Sequence, residues 1–220
     1  MSAVEPPKIP YDQQVARYSA PYLARARITP NQVTAFSVLL TLFSAWLFAI
    51  GERDAMAWAA GLFVLGRFLD HFDGELARHT QKSSRFGYYF DYVAGALSYA
   101  ALFIGLGIGF AGSSLGGWSM GLGLAGAAAS LISLGLNVDL DRTTGLEDGD
   151  AIGYPSAGGF ELEDGIYLLA PVTWLGFLLP FFVLAGIGAC VYCLWTAWQL
   201  WAIKARAKSR LDKTPPTQSP

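Results

Sequence analysis

Between Gly165 and Ile203 the chain carries 39 residues without one charged side chain. As a single helix rising 1.5 Å per residue, that run would extend about 58 Å, roughly twice the hydrocarbon core of a bilayer. It must break, and Gly176 to Pro180 is the natural turn. Four further apolar runs precede it, at 31–50, 55–77, 86–110 and 117–138. Lipid offers no hydrogen-bond partner for free backbone, so segments of this length are read as helices. The expected fold is an all-α membrane protein with six transmembrane helices. Composition agrees: 53% of the residues are hydrophobic and 15% charged, with mean hydropathy +0.37. A soluble domain carries nearer a quarter charged residues. Seven Trp, ten Tyr and fourteen Phe suit a protein with two membrane interfaces.

Three regions are expected. Residues 1–29, Pro-bearing and with Tyr11, Tyr18 and Tyr22 among four bases, read as an interfacial amphipathic arm. Residues 30–204 form the six-helix domain, and 205–220 a basic, disordered tail. Lys and Arg cluster in the arm, in the 78–85 loop and in the tail, while the opposite loops hold only Arg53. The positive-inside rule then places both termini and the 78–85 loop in the cytoplasm, with the protein in the cell's inner or plasma membrane. Residues 139–164 read as a polar, acidic insert in which Arg142 is the lone base. Cys190 and Cys193 are read as plain lipid- or helix-facing thiols, since no second ligand pair accompanies them. No signal peptide is expected, because the first apolar run begins near Asn31. Nothing points to nucleic acid.

The chemistry concentrates at the end of the second run and the start of the third. Asp70 and Asp73 are three residues apart, so on a helix they share a face. Asp73 and Asp91 each lie nine residues from Lys82, so an antiparallel hairpin brings them to one depth. Three carboxylates gathered at a membrane boundary need a cation, and an all-oxygen set suits Mg²⁺ or Mn²⁺. Gly74 removes a side chain where a phosphate could approach, and Arg78, one turn on, can counter its charge. The plainer alternative pairs these aspartates with Arg67, Arg78 and Arg85.

Asp70, Asp73, Gly74, Ala77, Arg78, Gly87 and Asp91, with eight residues between Arg78 and Gly87, fall in register with the pattern D-x2-D-G-x2-A-R-x8-G-x3-D-x3-D. This resembles the CDP-alcohol phosphotransferase family, and Thr29-Pro30-Asn31-Gln32-Val33-Thr34 is similar to the family's first helix. The resemblance implies a phospholipid-synthesising transferase, a homodimer, that moves the phosphatidyl group of a CDP-lipid onto an alcohol and releases CMP. It implies Asp70, Asp73 and Asp91 as metal ligands, with Asp91 also catalytic. It further implies Asn31, Thr34, Asp70, Gly74, Ala77, Arg78 and Gly87 as contacts of the CDP-lipid.

One position departs: the family's last aspartate, its expected general base, is Gly95 here. His71, Glu161, Glu163 and Asp164 are the candidate substitutes, and Glu161 and Asp164 are assigned the proton-accepting role. Their other reading is helix capping. The single base in the 139–164 insert favours a small neutral or amine-bearing alcohol over a sugar phosphate. The competing functional class is a catalytically impaired member that binds metal and CDP-lipid in a regulatory or structural role. A channel or transporter would place its ionisable groups near the bilayer middle instead.

Overall fold

The computed structural model describes residues 11–82, 84–144, 156–157 and 160–211, with side chains over 14–82, 84–144 and 165–206. It is built from helices α1 (Tyr11–Arg25), α2 (Pro30–Ile50), α3 (Arg53–Thr80), α4 (Arg85–Gly109) and α5 (Trp118–Thr144). A two-residue antiparallel pair follows, β1 (Ser156–Ala157) with β2 (Phe160–Glu161). A 3-10 helix (Leu162–Leu168) then leads into α6 (Leu169–Trp174) and α7 (Leu178–Leu211).

Among the described residues, four helices are long and apolar enough to cross a membrane: 30–50, 85–109, 118–144 and 178–206. The expected count of six is therefore not confirmed among the described residues. The second expected span lies within α3, whose 28 residues include Arg67, Asp70, His71, Asp73, Glu75 and Arg78; length suffices there, but charge does not. The fifth becomes a 3-10 turn and a six-residue α6, too short to cross as a regular helix. The break in the 39-residue run falls where expected, at Gly176, whose φ of 85° is left-handed. Two boundaries move. Helix α5 runs to Thr144, into the segment read as a polar insert. Helix α7 continues to Leu211, past the start of the expected tail.

Polarity in α2 is inverted relative to a soluble amphipathic helix. Thr34, Ser37, Thr41 and Ser44 form its buried face, while Phe36, Leu39, Phe43 and Trp46 point outward. The inward hydroxyls find partners on neighbouring helices. Thr41 pairs with Ser98 of α4 at 2.7 Å, and Ser44 donates to the Ala59 carbonyl of α3 at 2.7 Å. Such bonds hold helices together where lipid supplies no hydrophobic drive. Helix α4 closes on α2 through glycine: a Cβ on Gly105 would stand 2.3 Å from the Ala45 carbonyl oxygen, and one on Gly109 2.1 Å from that of Phe48.

The apolar core gathers at one end of the bundle. Phe48 of α2, Met56, Ala59, Ala60 and Phe63 of α3, Leu102, Phe103 and Leu106 of α4, and Phe182 of α7 pack there. The opposite end holds the α3–α4 turn, which Gln81 makes with a φ of 54°. Ser84 caps α4 by accepting from the Gly87 amide at 3.0 Å. Helix α1 packs against α3, burying Ala16 and Ala20 and exposing Tyr18 and Tyr22.

Candidate metal centre

Asp70 and Asp73 sit one turn apart on α3, both buried, and Asp91 faces them, exposed, from α4. One carboxylate oxygen from each lies within 4.8 Å of the others. Oxygens on opposite sides of an octahedral Mg²⁺ stand about 4.2 Å apart, so a small side-chain rotation closes this set on a hard cation. All donors are anionic oxygen and none is sulfur or imidazole, which suits Mg²⁺ or Mn²⁺.

Each buried carboxylate is oriented from α2. Thr34 donates its hydroxyl to Asp73, and Ser37 donates to Asp70 Oδ1 at 2.9 Å. The sequence reading gave Thr34 to the CDP-lipid and omitted Ser37. The signal was present, since hydroxyls at 34, 37, 41 and 44 follow one face of an otherwise apolar helix. Arg67, one turn before Asp70, donates from Nη1 to Asp70 Oδ2 at 2.7 Å and is only 6% exposed. The pairing with Arg67 named in the plainer alternative is thus real, and it coexists with the three-carboxylate cluster.

The remaining motif positions fall around this cluster. The Arg78 guanidinium folds over Gly74, 3.6 Å from where a Cβ would stand, and bonds Glu75 Oε1 at 2.7 Å. Gly87 brings the start of α4 against α2, its Cβ position 3.5 Å from Asn31 Oδ1. Ala77 is half-buried on α3. A Cβ on Gly95 would lie 3.8 Å from Arg67 Nη1. His71, next to Asp70 in the chain, meets Tyr167 of the 3-10 helix, ring centroids 6.5 Å apart. The side chains of Glu161, Glu163 and Asp164 lie outside the described residues.

One carboxylate of the expected insert belongs to the bundle. Asp141 of α5 is 3% exposed and accepts from the hydroxyls of Tyr88 (2.7 Å) and Tyr92. These tyrosines flank Asp91 in α4, so the contact fixes the helix that presents the exposed ligand. Arg142, the lone base of that region, donates to the Tyr89 hydroxyl at 2.7 Å.

Comparison with known proteins adds the following. Archaetidylinositol phosphate synthase of Pyrococcus horikoshii is 38% identical over 87 residues, 40% of this chain and 45% of the relative. The chain thus spans about half the length of that curated relative. Two crystal structures of the Mycobacterium tuberculosis phosphatidylinositol phosphate synthase share the fold, each with TM-score 0.64. The one in complex with manganese and citrate is 19% identical, covering 93% of this chain and 92% of that one. The one with CDP-DAG bound is 18% identical, covering 94% and 98%. A family model for CDP-alcohol phosphatidyltransferase matches residues 27–202, a region holding the hydroxyl face of α2, the carboxylates of α3 and α4 and the buried Asp141; the chain belongs to the CDP-alcohol phosphatidyltransferase family.

Proposed function

We propose that this integral membrane protein transfers a phosphatidyl group from a CDP-lipid, CDP-diacylglycerol in the first instance, to a small alcohol. The acceptor oxygen attacks the lipid-bearing phosphorus of the pyrophosphate. One P–O bond forms, the bond to the bridging oxygen breaks, CMP leaves, and the acceptor proton passes to a protein carboxylate. The convergence of Asp70, Asp73 and Asp91 on one point carries this reading. A divalent ion bound there supplies Lewis-acid polarisation of phosphate oxygens and offsets the charge on departing CMP. Thr34 and Ser37 hold the two buried carboxylates in place. Asn31, Gly74, Ala77, Arg78 and Gly87 line the approach for the nucleotide, with Arg78 as the cationic contact.

Asp91, exposed and nearest solvent, and Glu161 or Asp164 are the proposed proton acceptors. The 3-10 helix that includes Asp164 also includes Tyr167, which meets His71 beside Asp70; this supports a place for that segment at the cleft. Asp164→Asn or Glu161→Gln is expected to abolish turnover while sparing Mn²⁺ and CDP-lipid binding, and unchanged rates in both would remove them from the mechanism. The enzyme is read as a homodimer of the inner or plasma membrane with the cleft facing the cytoplasm, in keeping with the bases of α1, of the α3–α4 turn and of the tail.

For the acceptor, the acidic 139–164 segment and the engagement of Arg142 by Tyr89 favour a neutral or amine-bearing alcohol. A cavity between α1 and α3, lined by Arg17, Ala20, Arg78 and His79 together with Glu75, the partner of Arg78, has a net basic lining that supports the competing choice of a phosphorylated polyol. So do the names of the relatives. The test is mass spectrometry of lipids formed by purified protein with CDP-diacylglycerol, Mn²⁺ and a mixed acceptor pool. Mn²⁺-dependent CMP release with a new phospholipid is expected, and that lipid's headgroup selects the acceptor. Tight CDP-lipid binding without CMP release would select the regulatory member that Gly95 favours.

A further inference from the structure

The deep side of the carboxylate cluster is closed by a protein cation. Arg67 donates from Nη1 to Asp70 Oδ2 at 2.7 Å, its Cζ lies 5.1 Å from the Tyr99 ring centroid, and it is 6% exposed. Salt bridge and ring face together fix the guanidinium. The same Nη1 stands 3.8 Å from the Cβ position of Gly95. At Gly95, the motif position where a carboxylate was expected, α4 therefore presents no side chain to the pair.

Charge then limits what the site can hold. Three carboxylates less one guanidinium leave a formal charge of −2, which one divalent cation neutralises. A second divalent ion beside Asp70 would find no donor on Gly95 and would sit against a buried guanidinium, where repulsion is poorly screened. We propose that this centre takes a single divalent ion per chain, and that Arg67, housed under Gly95, is a positioning residue that supplies the remaining positive charge on that side. The proposal rests on the metal reading above and adds the ion count and the role of Arg67.

Mn²⁺ titration of the full-length purified protein, followed by electron paramagnetic resonance and calorimetry, tests it without any turnover. One Mn²⁺ per chain is expected; two overturn the proposal. No binding overturns the metal centre itself, which separates the two failures. Arg67→Gln removes the charge and keeps a donor for Asp70, so the single ion should bind about tenfold tighter or more. A merely structural Arg67 gives unchanged or weaker binding, and that result overturns the assigned role. Arg67→Gln combined with Gly95→Asp should admit a second Mn²⁺, visible as dipolar broadening, while Gly95→Asp alone should not. Should the double variant fail to fold, the wild-type ion count still decides.

Discussion

Thr34 and Ser37 each donate a hydroxyl to a carboxylate of the three-aspartate cluster. A carboxylate that ligates a metal has lone pairs left over, and outer partners that fix its rotamer commonly alter metal affinity or activity 10–100-fold. Thr34→Val keeps the shape and removes the donor, so Mn²⁺ affinity should fall by about 10–100-fold. Isothermal titration checks this, and undiminished binding would show that Asp73 needs no such orientation. Asp73→Asn deletes a proposed ligand outright, and the proposed CMP release should drop by roughly 10²–10⁴-fold, the several kcal/mol that metal polarisation supplies. The residues legible in the sequence were those whose spacing fixes their geometry: Asp70 and Asp73 on one turn, and Asp91 across a short hairpin. Ser37 is legible only as part of a hydroxyl stripe on α2, with Thr34, Thr41 and Ser44. Asp141 was not legible, because its partners Tyr88 and Tyr92 are 53 and 49 positions away and an acidic neighbourhood masked it.

At the level of elements, glycine placement decides which helices touch. The α2–α4 contact leaves no room for a side chain at Gly105, where even a methyl would meet the Ala45 carbonyl at 2.3 Å. Gly105→Leu should therefore part the two helices that carry Thr34 and Asp91, at a cost of about 1–3 kcal/mol or more. Gly188 of α7 has nothing within 4 Å, and Gly188→Leu should leave the thermal transition unchanged. A thermal-shift comparison in one detergent reads both, and equal melting of the two variants would contradict the packing. Helices α2 and α4 could be placed from hydropathy because lipid demands long apolar runs. Helix α3 met its expected limits only approximately, since it is held by hydroxyls and ion pairs that no hydropathy window registers. The fifth expected span is not confirmed for a different reason: Leu162–Trp174 is apolar at its end, yet it begins as a 3-10 turn and ends in a six-residue helix.

Across the molecule, the glycines divide into an inner and an outer set. The inner ones are consumed within the chain: Gly107 meets Ser119 and Gly123 of α5, and Gly126 meets the Phe103 ring. The outer set on α5 remains uncovered: Gly121, Ala125 and Ala128, spaced by four and three, are exposed along one face that Ile132 and then Gly135 continue, with nothing within 4 Å of the Cβ positions of Gly121 or Gly135. Small residues spaced by three and four on a lipid-facing helix let a second backbone approach closely. The proposed homodimer is therefore expected to pair α5 with its counterpart, while bulky outward residues of α7 such as Leu194 and Trp198 meet lipid. In a Cys190→Ser/Cys193→Ser background, Ala128→Cys should form a disulfide-linked dimer under mild oxidation in a bilayer, and Leu194→Cys should not. Efficient linkage through Leu194→Cys alone would move the interface to α7. Linkage through neither, with a monomer mass in native mass spectrometry, would return the small-residue face to lipid and leave each metal centre to work alone.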